Sequence, residues 1–556
     1  AVTHSRAGQA TMTDSDGKIK WAPHNLLTYS EDFSNASWAA VRTASLALDS
    51  VGPDGESNSA VKLLDNSAGG TGTVYVRDTV TVSTSTTYTA SVYAKADQLS
   101  QIVLFANAFT TPANNGFVFD LSNGTYSVYS GTPAITAEMQ SVDNGWYRCS
   151  ITFTTDTTDT SGQIQIYLYE SGSVSVPLDG TSSVLLYGAH LFRSNLGGMA
   201  NNPAQSTGLE TYVPTSGSAV YLPRVGHHIY NGSAWVNEGI LHESEARTNL
   251  ITYSSDFTDS SYSKGNVTIG SDNIVAPDGT TTADTLTATG SSYIQSTLNS
   301  ANTSIGYTLS VWMKVPSGTT PVDMGNIDAG VYVTKTVTTD WQLFSITQTP
   351  SATTRYPRVF RKTSGDVTVH IWGAQLEAGA TPSSYIPTSG STVTRAAETL
   401  TVSAANLPYD STNMSIQIDG KMTYADTSST FQAMFWNWSL NNNNNMKVHL
   451  DTNLGKVGYP RYVQKAGGVI DRCDSAPTDT YSPGINVPFN LASRHGSTFV
   501  NGAADGTSFT VNATPTALPD LSASDLTFGS IFMGTIGKFR VWSDDLTDTG
   551  IEEAST

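Results

Sequence analysis

Apolar and polar residues alternate at period two in short runs along the chain, and turn residues cut one run from the next. Val74 to Val82, Tyr88 to Lys95, Gln101 to Ala106, Gly116 to Leu121, Trp146 to Thr154, Gln163 to Tyr169 and Val184 to Phe192 are such runs. Between some of them stand Asn114-Asn115-Gly116, Ser122-Asn123-Gly124 and Asp143-Asn144-Gly145. Asn-Gly pairs supply the positive φ that tight hairpins need. Period two sends successive side chains to opposite faces, so each run predicts one strand. The pattern continues at Tyr307 to Lys314, Gly330 to Val337, Trp341 to Thr347, Val367 to Glu377, Met414 to Tyr424 and Phe431 to Trp438. An all-β chain of tandem antiparallel β-sandwich (jelly-roll) modules is predicted, with few helices.

The runs recur as a long repeat. Asn25-Leu26-Leu27-Thr28-Tyr29-Ser30-Glu31-Asp32-Phe33 returns as Asn249-Leu250-Ile251-Thr252-Tyr253-Ser254-Ser255-Asp256-Phe257. Tyr88 to Lys95 matches Tyr307 to Lys314, Trp146 matches Trp341, and Tyr187-Gly188-Ala189 matches Trp372-Gly373-Ala374. Tyr212-Val213-Pro214-Thr215-Ser216-Gly217-Ser218 closes one copy and Tyr385-Ile386-Pro387-Thr388-Ser389-Gly390-Ser391 the other. Two copies of one fold follow, with Trp146 and Trp341 equivalent. Residues 193–205 have no counterpart in the second copy and read as an inserted loop. The expected division is a leader strand (1–24), a first sandwich (25–218), a structured connector (219–247), a second sandwich (248–391) and a third module (392–556).

Composition narrows the partners. A chain of 556 residues is too long for one core. Its net charge of −19, with only 28 Lys and Arg, argues against nucleic acid, which needs clustered cations to displace counterions. No run approaches the ~20 apolar residues of a membrane span, so membrane insertion is not expected. The first residues, Ala-Val-Thr-His-Ser, lack the apolar core of a signal peptide, and removal of Met or of a longer leader stays open. Cys149 and Cys473 make no disulfide framework and read as small buried hydrophobes. The leader is poor in apolar residues and is expected to order against a neighbouring chain.

Near the C-terminus, Phe489 to His495, Ser497 to Gly502, Leu526-Thr-Phe-Gly529, Gly534 to Trp542 and Leu546 to Glu553 follow one another. That order resembles the concanavalin-A-like or laminin-G-like jelly roll, including its Asn-Gly hairpin and short final helix. The repeats, through the Asn-Leu-Leu-Thr-Tyr-Ser start, Trp38, Trp146-Tyr147 and the Tyr-Ile-Pro-Thr-Ser-Gly-Ser close, resemble the carbohydrate-binding-module-like sandwiches of tailed-bacteriophage head-spike and tail-fibre proteins. The connector from Leu222-Pro-Arg224 to Glu243-Ser-Glu-Ala-Arg-Thr-Asn-Leu250 resembles the segment that introduces such modules. The resemblance implies a protein of the virion surface that binds host-surface polysaccharide, contacts other virion proteins and forms a homo-oligomer, with a trimer favoured. A secreted bacterial polysaccharide-active enzyme, its binding-module appendage, or an architectural capsid decoration protein are the alternatives.

Enzyme signatures are missing. There is no nucleophile elbow, phosphate loop or dinucleotide fingerprint, and His242-Glu243 has Ala at position 246 where a zinc helix needs a second His. No catalytic residue is assigned, and no enzyme is expected. His227-His228 point to opposite faces of a strand, which argues against a shared metal. Asp14-Ser-Asp-Gly17 and the two Pro-Asp-Gly sites suit structural calcium, but turn chemistry explains them as well, and no cofactor is assigned. Sugars stack their C–H faces on exposed rings while neighbouring amides bond the hydroxyls. Trp436-Asn437-Trp438, with both indoles on one strand face and the loop Asn441 to Asn445 beside them, is the candidate glycan site. Its members are Trp436, Trp438, Asn437, Asn441 and Asn443. The same spacing equally suits two core tryptophans.

Overall fold

The computed structural model describes residues 2–44, 46–130, 135–425, 433–451, 458–473 and 481–556. Phe431, the expected start of one strand, lies outside them. The chain divides into two compact units, Lys20–Leu222 and the residues up to Ile19 together with Pro223–Thr556. Both are antiparallel β structures, as the alternation predicts.

In the first unit two six-stranded sheets enclose one core. One sheet runs in the order Ile135–Ser141, Trp146–Thr154, Thr87–Ala96, Ser183–Arg193, Ala60–Leu64, Leu48–Ser50. The other runs Thr125–Ser130, Asn115–Asp120, Gln101–Asn107, Ser161–Tyr169, Tyr75–Thr81, Ala39–Val41. Asn144 (φ 61°) and Gly145 (φ 79°) turn the hairpin before Trp146 as their residue types require. Asn115-Gly116 does not make a turn and lies inside its strand.

The second sandwich repeats this pairing in the other unit. Lys95 opposes Trp146, and extending the register of Met313 with Gln342 by one residue sets Lys314 opposite Trp341. The cross-strand pair Thr89–Thr152, with hydroxyls 2.8 Å apart, returns as Thr308–Thr347 at 2.7 Å. One long strand, Ala283–Gln295, replaces two of the first copy by pairing with Val367–Ala378 along one half and Arg358–Lys362 along the other. The repeated Asn explains itself. Asn25 Nδ2 donates to the carbonyls of Ala189 and Val213, and its Oδ1 accepts from the amides of Leu27 and Leu191. Asn249 makes the same four bonds, to Ala374, Ile386, Ile251 and Leu376. A buried amide satisfied on every side ties the start of each copy to its close.

The third module is a jelly roll that draws strands from three parts of the chain. Glu398–Val402 is flanked by Leu526–Phe528 and by Val2–Arg6 of the leader. In the facing sheet, Ile240–Glu243 of the connector pairs with Met533–Trp542, and Arg224–Val225 pairs with Ile240–Glu243. The leader is therefore ordered by its own chain, and the expectation that it needs a neighbouring one is corrected. Backbone pairing supplies what its few apolar side chains cannot. The expected final helix is present at Thr547–Ala554. Asn501-Gly502 lies inside the strand Val500–Ala504 and not at a turn, with Asn501 Nδ2 donating to Asp548.

A buried charged node fastens these strands. Arg224 gives Glu398 a two-pronged contact (Nε to Oε1 3.0 Å, Nη2 to Oε2 2.6 Å) and reaches Glu243 at 2.7 Å. Arg395 lies 3.0 Å from Glu243, and Arg6 also bonds Glu398. Burial would raise the Glu243 carboxyl, but Arg395 and Arg224 outweigh it and hold it at about 2. Glu398 is held well below the usual range in the same way, chiefly by Arg224 against the opposing effect of burial. Neither carboxylate has a proton to give near neutral pH.

Candidate functional site

The sequence-predicted stacking platform is in the core. Trp436 and Trp438 do share one face of Ala433–Asn441, but that face points inward, leaving them 1 % and 0 % exposed. A register slip between Met434 and Trp436 also buries Phe435. Trp438 Nε1 donates to the Ser524 carbonyl at 2.8 Å, which satisfies the one polar atom of a buried indole. No sugar can reach either ring. Asn437 is half-buried, and Asn441 and Asn443 are exposed on the hairpin. Asn441 Oδ1 accepts from the amides of Asn443 and Asn444, a turn function. The structure does not bring these five residues together as one aromatic site.

An aromatic cleft of about 470 Å³ lies instead in the unit that holds the second sandwich. Its floor is the outer face of adjacent strands. Tyr307–Lys314 contributes Ser310 and Trp312, Gln342–Gln348 contributes Gln342 and Ser345, and Trp341 stands just before the latter. Trp312 and Trp341 are half-buried. Trp341 is fixed in place by donating from Nε1 to the Val275 carbonyl at 3.0 Å, and Lys314 Nζ lies 5.0 Å from its ring centre.

The opposite wall is the connector hairpin of His228–Tyr230 and Trp235–Asn237. Its two large rings, Tyr230 and Trp235, sit 5.4 Å apart and are 53 % and 37 % exposed. These exposures matter because a ring must show a face to stack on a ligand. Trp235 rests on Gly17, where a Cβ would come within 2.1 Å of the indole, so only glycine (φ 75°) fits below it. Asp14 Oδ1 accepts from the amides of Asp16 and Lys18, holding that turn by ordinary carboxylate capping. Asp54 and Asp278 are used by their own turns in the same manner. Among the described residues no cluster of three or more His, Cys, Asp or Glu is placed to hold a metal.

His227 and Glu243 on the cleft wall are committed to contacts within the protein. His227 is pushed down to about 3 by burial and by Arg224, and its Nδ1 accepts from the Thr13 amide. Glu243 is the carboxylate on the wall, and its oxygens are taken by Arg224, Arg395 and both donors of Ser384. What remains for a ligand is aromatic surface bordered by amide and hydroxyl groups, the chemistry of neutral sugar recognition.

The repeat itself carries a signal for this site. Tyr93, Trp146, Tyr187 and Tyr212 of the first copy align with Trp312, Trp341, Trp372 and Tyr385 of the second. In the first copy these rings form a closed cluster under Leu209, and Tyr93 donates to the Gly208 carbonyl at 3.3 Å. Leu209 and Gly208 belong to the stretch before Tyr212 that the insertion lengthens. The second copy lacks that insertion; Trp372 and Tyr385 are still buried, while Trp312 and Trp341 stay half-exposed.

No protein-family model matches the chain, and no curated protein matches it. Among solved structures it is similar to the CBM40 module of the Ruminococcus gnavus IT-sialidase (16 % identity, 26 % of this chain and 84 % of that one, TM-score 0.21). It is also similar to the LG4-5 domains of the mouse laminin alpha1 chain (10 % identity, 44 % and 85 %, TM-score 0.19). The tandem CBM22-1–CBM22-2 domains of Paenibacillus barcinonensis Xyn10C are a third (9 % identity, 64 % and 98 %, TM-score 0.18). Among the described residues no helix is long and apolar enough to cross a membrane.

Proposed function

We propose that the protein is a non-enzymatic glycan-binding protein whose second sandwich holds a neutral sugar between Trp312 and Trp341 on the floor and Tyr230 and Trp235 on the wall. The observation that carries this reading is the difference between the repeats: the ring pair Tyr93 and Trp146 is sealed in the first, and its equivalents Trp312 and Trp341 are half-exposed on a cleft in the second. Exposed rings cost stability unless something is gained by stacking on them. A role in glycoside cleavage is disfavoured because hydrolysis needs two carboxyl groups facing the bond, and the cleft wall offers Glu243 alone, locked in its ion pairs.

Two settings share this chemistry. Adhesion of a phage virion to host-surface polysaccharide, with other virion proteins as partners and a homo-oligomeric assembly, rests on the motifs of the repeats and connector. Service as a binding module beside a polysaccharide-degrading enzyme is the second reading, favoured by the architecture of paired sandwiches with a jelly roll. Glycan-array binding of the whole chain, with Trp341→Ala and Trp235→Ala for comparison, tests the site. Each variant is expected to weaken binding by roughly thirtyfold, as loss of a stacking hot spot of ~2 kcal/mol would. Undiminished binding by both would remove the cleft from consideration.

A further inference from the structure

The second sandwich carries chemistry of another kind on a different face. Strand Arg358–Lys362 lies between Thr320–Gly325 and Ala283–Gln295, and its register slips against both neighbours near Val359. Arg358 therefore faces Gln295 and Gly325, while Arg361 faces Tyr293 and Asp323. Strict alternation would send Arg358 and Arg361, three residues apart, to opposite faces. The bulge turns both outward and leaves Val359 and Phe360 fully buried.

The two arginines differ in how they are satisfied. Arg361 is neutralised by Asp323 at 2.8 Å, which also accepts from Thr334. Arg358 has no carboxylate within ion-pair distance among the described residues. Its Nε donates to Gln295 Oε1 at 3.1 Å, and its guanidinium carbon sits 4.4 Å from the centre of the Tyr293 ring and 5.7 Å from that of Tyr332. Gly325 opposite it has φ 146°, and a Cβ there would come within 2.4 Å of the Val331 carbonyl. Arg361 stacks on Tyr332 in turn, its guanidinium carbon 4.1 Å from the ring centre.

We propose that Arg358, Tyr293 and Tyr332 form a second binding site, one for a carboxylate-bearing sugar unit. Stacking and the Gln295 bond hold the guanidinium plane, so the Nη1 and Nη2 end is oriented before any ligand arrives. A planar fork of two donors matches the two oxygens of a carboxylate. The half-buried Tyr293 and Tyr332 border the guanidinium with ring edges and phenolic hydroxyls that can bond sugar hydroxyls. In a chain of net charge −19, an oriented cation without a counter-charge is a local attractor for anions. The site stands on its own residues and does not depend on the cleft.

Titration calorimetry on the whole chain tests it, with hyaluronan hexasaccharide and oligogalacturonate as probes, fully methyl-esterified oligogalacturonate as the uncharged control, and sulfated dextran oligosaccharide as the alternative anion. A carboxylated probe is expected to bind, to lose about tenfold or more in affinity on esterification, and to lose as much with Arg358→Gln. Tyr293→Ala weakens it by a smaller factor, and rising salt weakens it further. Arg358→Gln leaves Trp341-dependent binding of a neutral glycan unchanged, so failure at one site is distinguishable from failure at the other. Absence of binding by both carboxylated probes, or equal binding by Arg358→Gln, overturns the proposal. A preference for the sulfated over the carboxylated probes overturns the assignment of the carboxylate.

Discussion

The two sandwiches solve one fold and end with opposite surfaces. Both start at an asparagine that makes the same four hydrogen bonds, and both pair the same threonines across the same strands. The surfaces part at an insertion. In the first copy it lays Leu209 over Tyr93, Trp146, Tyr187 and Tyr212, and Trp146 is 1 % exposed. In the second the chain turns back sooner, and Trp312 and Trp341 face a cleft that the connector hairpin completes. A loop thus decides whether equivalent rings on equivalent strands are sealed or face a cleft.

The most direct way to break this comparison is to remove the equivalent tryptophans. Trp146→Ala deletes a ring enclosed on all sides and is expected to cost ~3–5 kcal/mol, because the cavity left behind collapses only in part. Trp341→Ala removes a half-exposed ring and should cost about 1 kcal/mol. Denaturant unfolding followed by intrinsic fluorescence and circular dichroism gives both values. Equal costs would show that the second set is as enclosed as the first.

The repeats also differ in how their ends are clamped. At the neck of the second, Arg247–Asn249 pairs with Val393–Arg395, and Arg395 reaches the charged node through Glu243. At the neck of the first, His24–Asn25 pairs with Val220–Tyr221, and the His24 ring stacks on Tyr221 at 6.1 Å. Glu243 titrates near 2 in the folded chain against 4.5 for a free glutamate. A depressed carboxyl stabilises fully above its unfolded value and loses that contribution as pH falls through the folded one. The unit containing the node should therefore lose about 3 kcal/mol from Glu243 between pH 4.5 and 2. His227 and His242, lowered to about 3 and about 4 mainly by burial, act in the same direction and begin to cost stability below pH ~6.5, where the unfolded chain protonates first. Acid unfolding with separate probes for the two units checks this, the second sandwich and jelly roll leading. Glu243→Gln should flatten the low-pH limb.

Much of this was readable from the residues. Period two located many of the strands, though not Ser263–Ile274 or Ala283–Gln295, the repeat located equivalent tryptophans, and the insertion at 193–205 marked a point of divergence. What the chain hides is which face of a strand points inward. The spacing of Trp436 and Trp438 sets them on one face, yet only the second sheet, packed against them, decides that the face is the core. Non-local pairing is hidden too: Val2–Arg6 finds Glu398–Val402 across nearly 400 residues of sequence. Arg224, Glu243, Arg395 and Glu398 look like surface charges until the fold buries them together.

Shortening the insertion sharpens the comparison further. Replacing residues 195–208 with a short polar link should uncover Tyr93 and Trp146, seen as added acrylamide quenching of tryptophan fluorescence at a modest loss of stability. The second copy has no such cover to lose, so the analogous change there has no counterpart. If quenching stayed constant, the insertion would not be what closes the first copy.

The smallest effect is expected at the asparagine hairpin of the jelly roll, and it bears on whether the open repeat is where neutral sugar binds. Asn441 holds a turn through two backbone amides, and Asn443 is exposed on it. Both flank a strand whose tryptophans face the core, so the loop has amides but no ring on which a sugar face can rest. Asn441→Ala should cost about 0.5–1 kcal/mol in stability, the value of a lost side-chain to backbone bond in a turn. Asn443→Ala should cost a few tenths. Neither should change glycan affinity by more than about twofold. A tenfold loss in either variant, with Trp341→Ala binding normally, would return the site to the jelly roll and leave the open rings of the second repeat without a ligand.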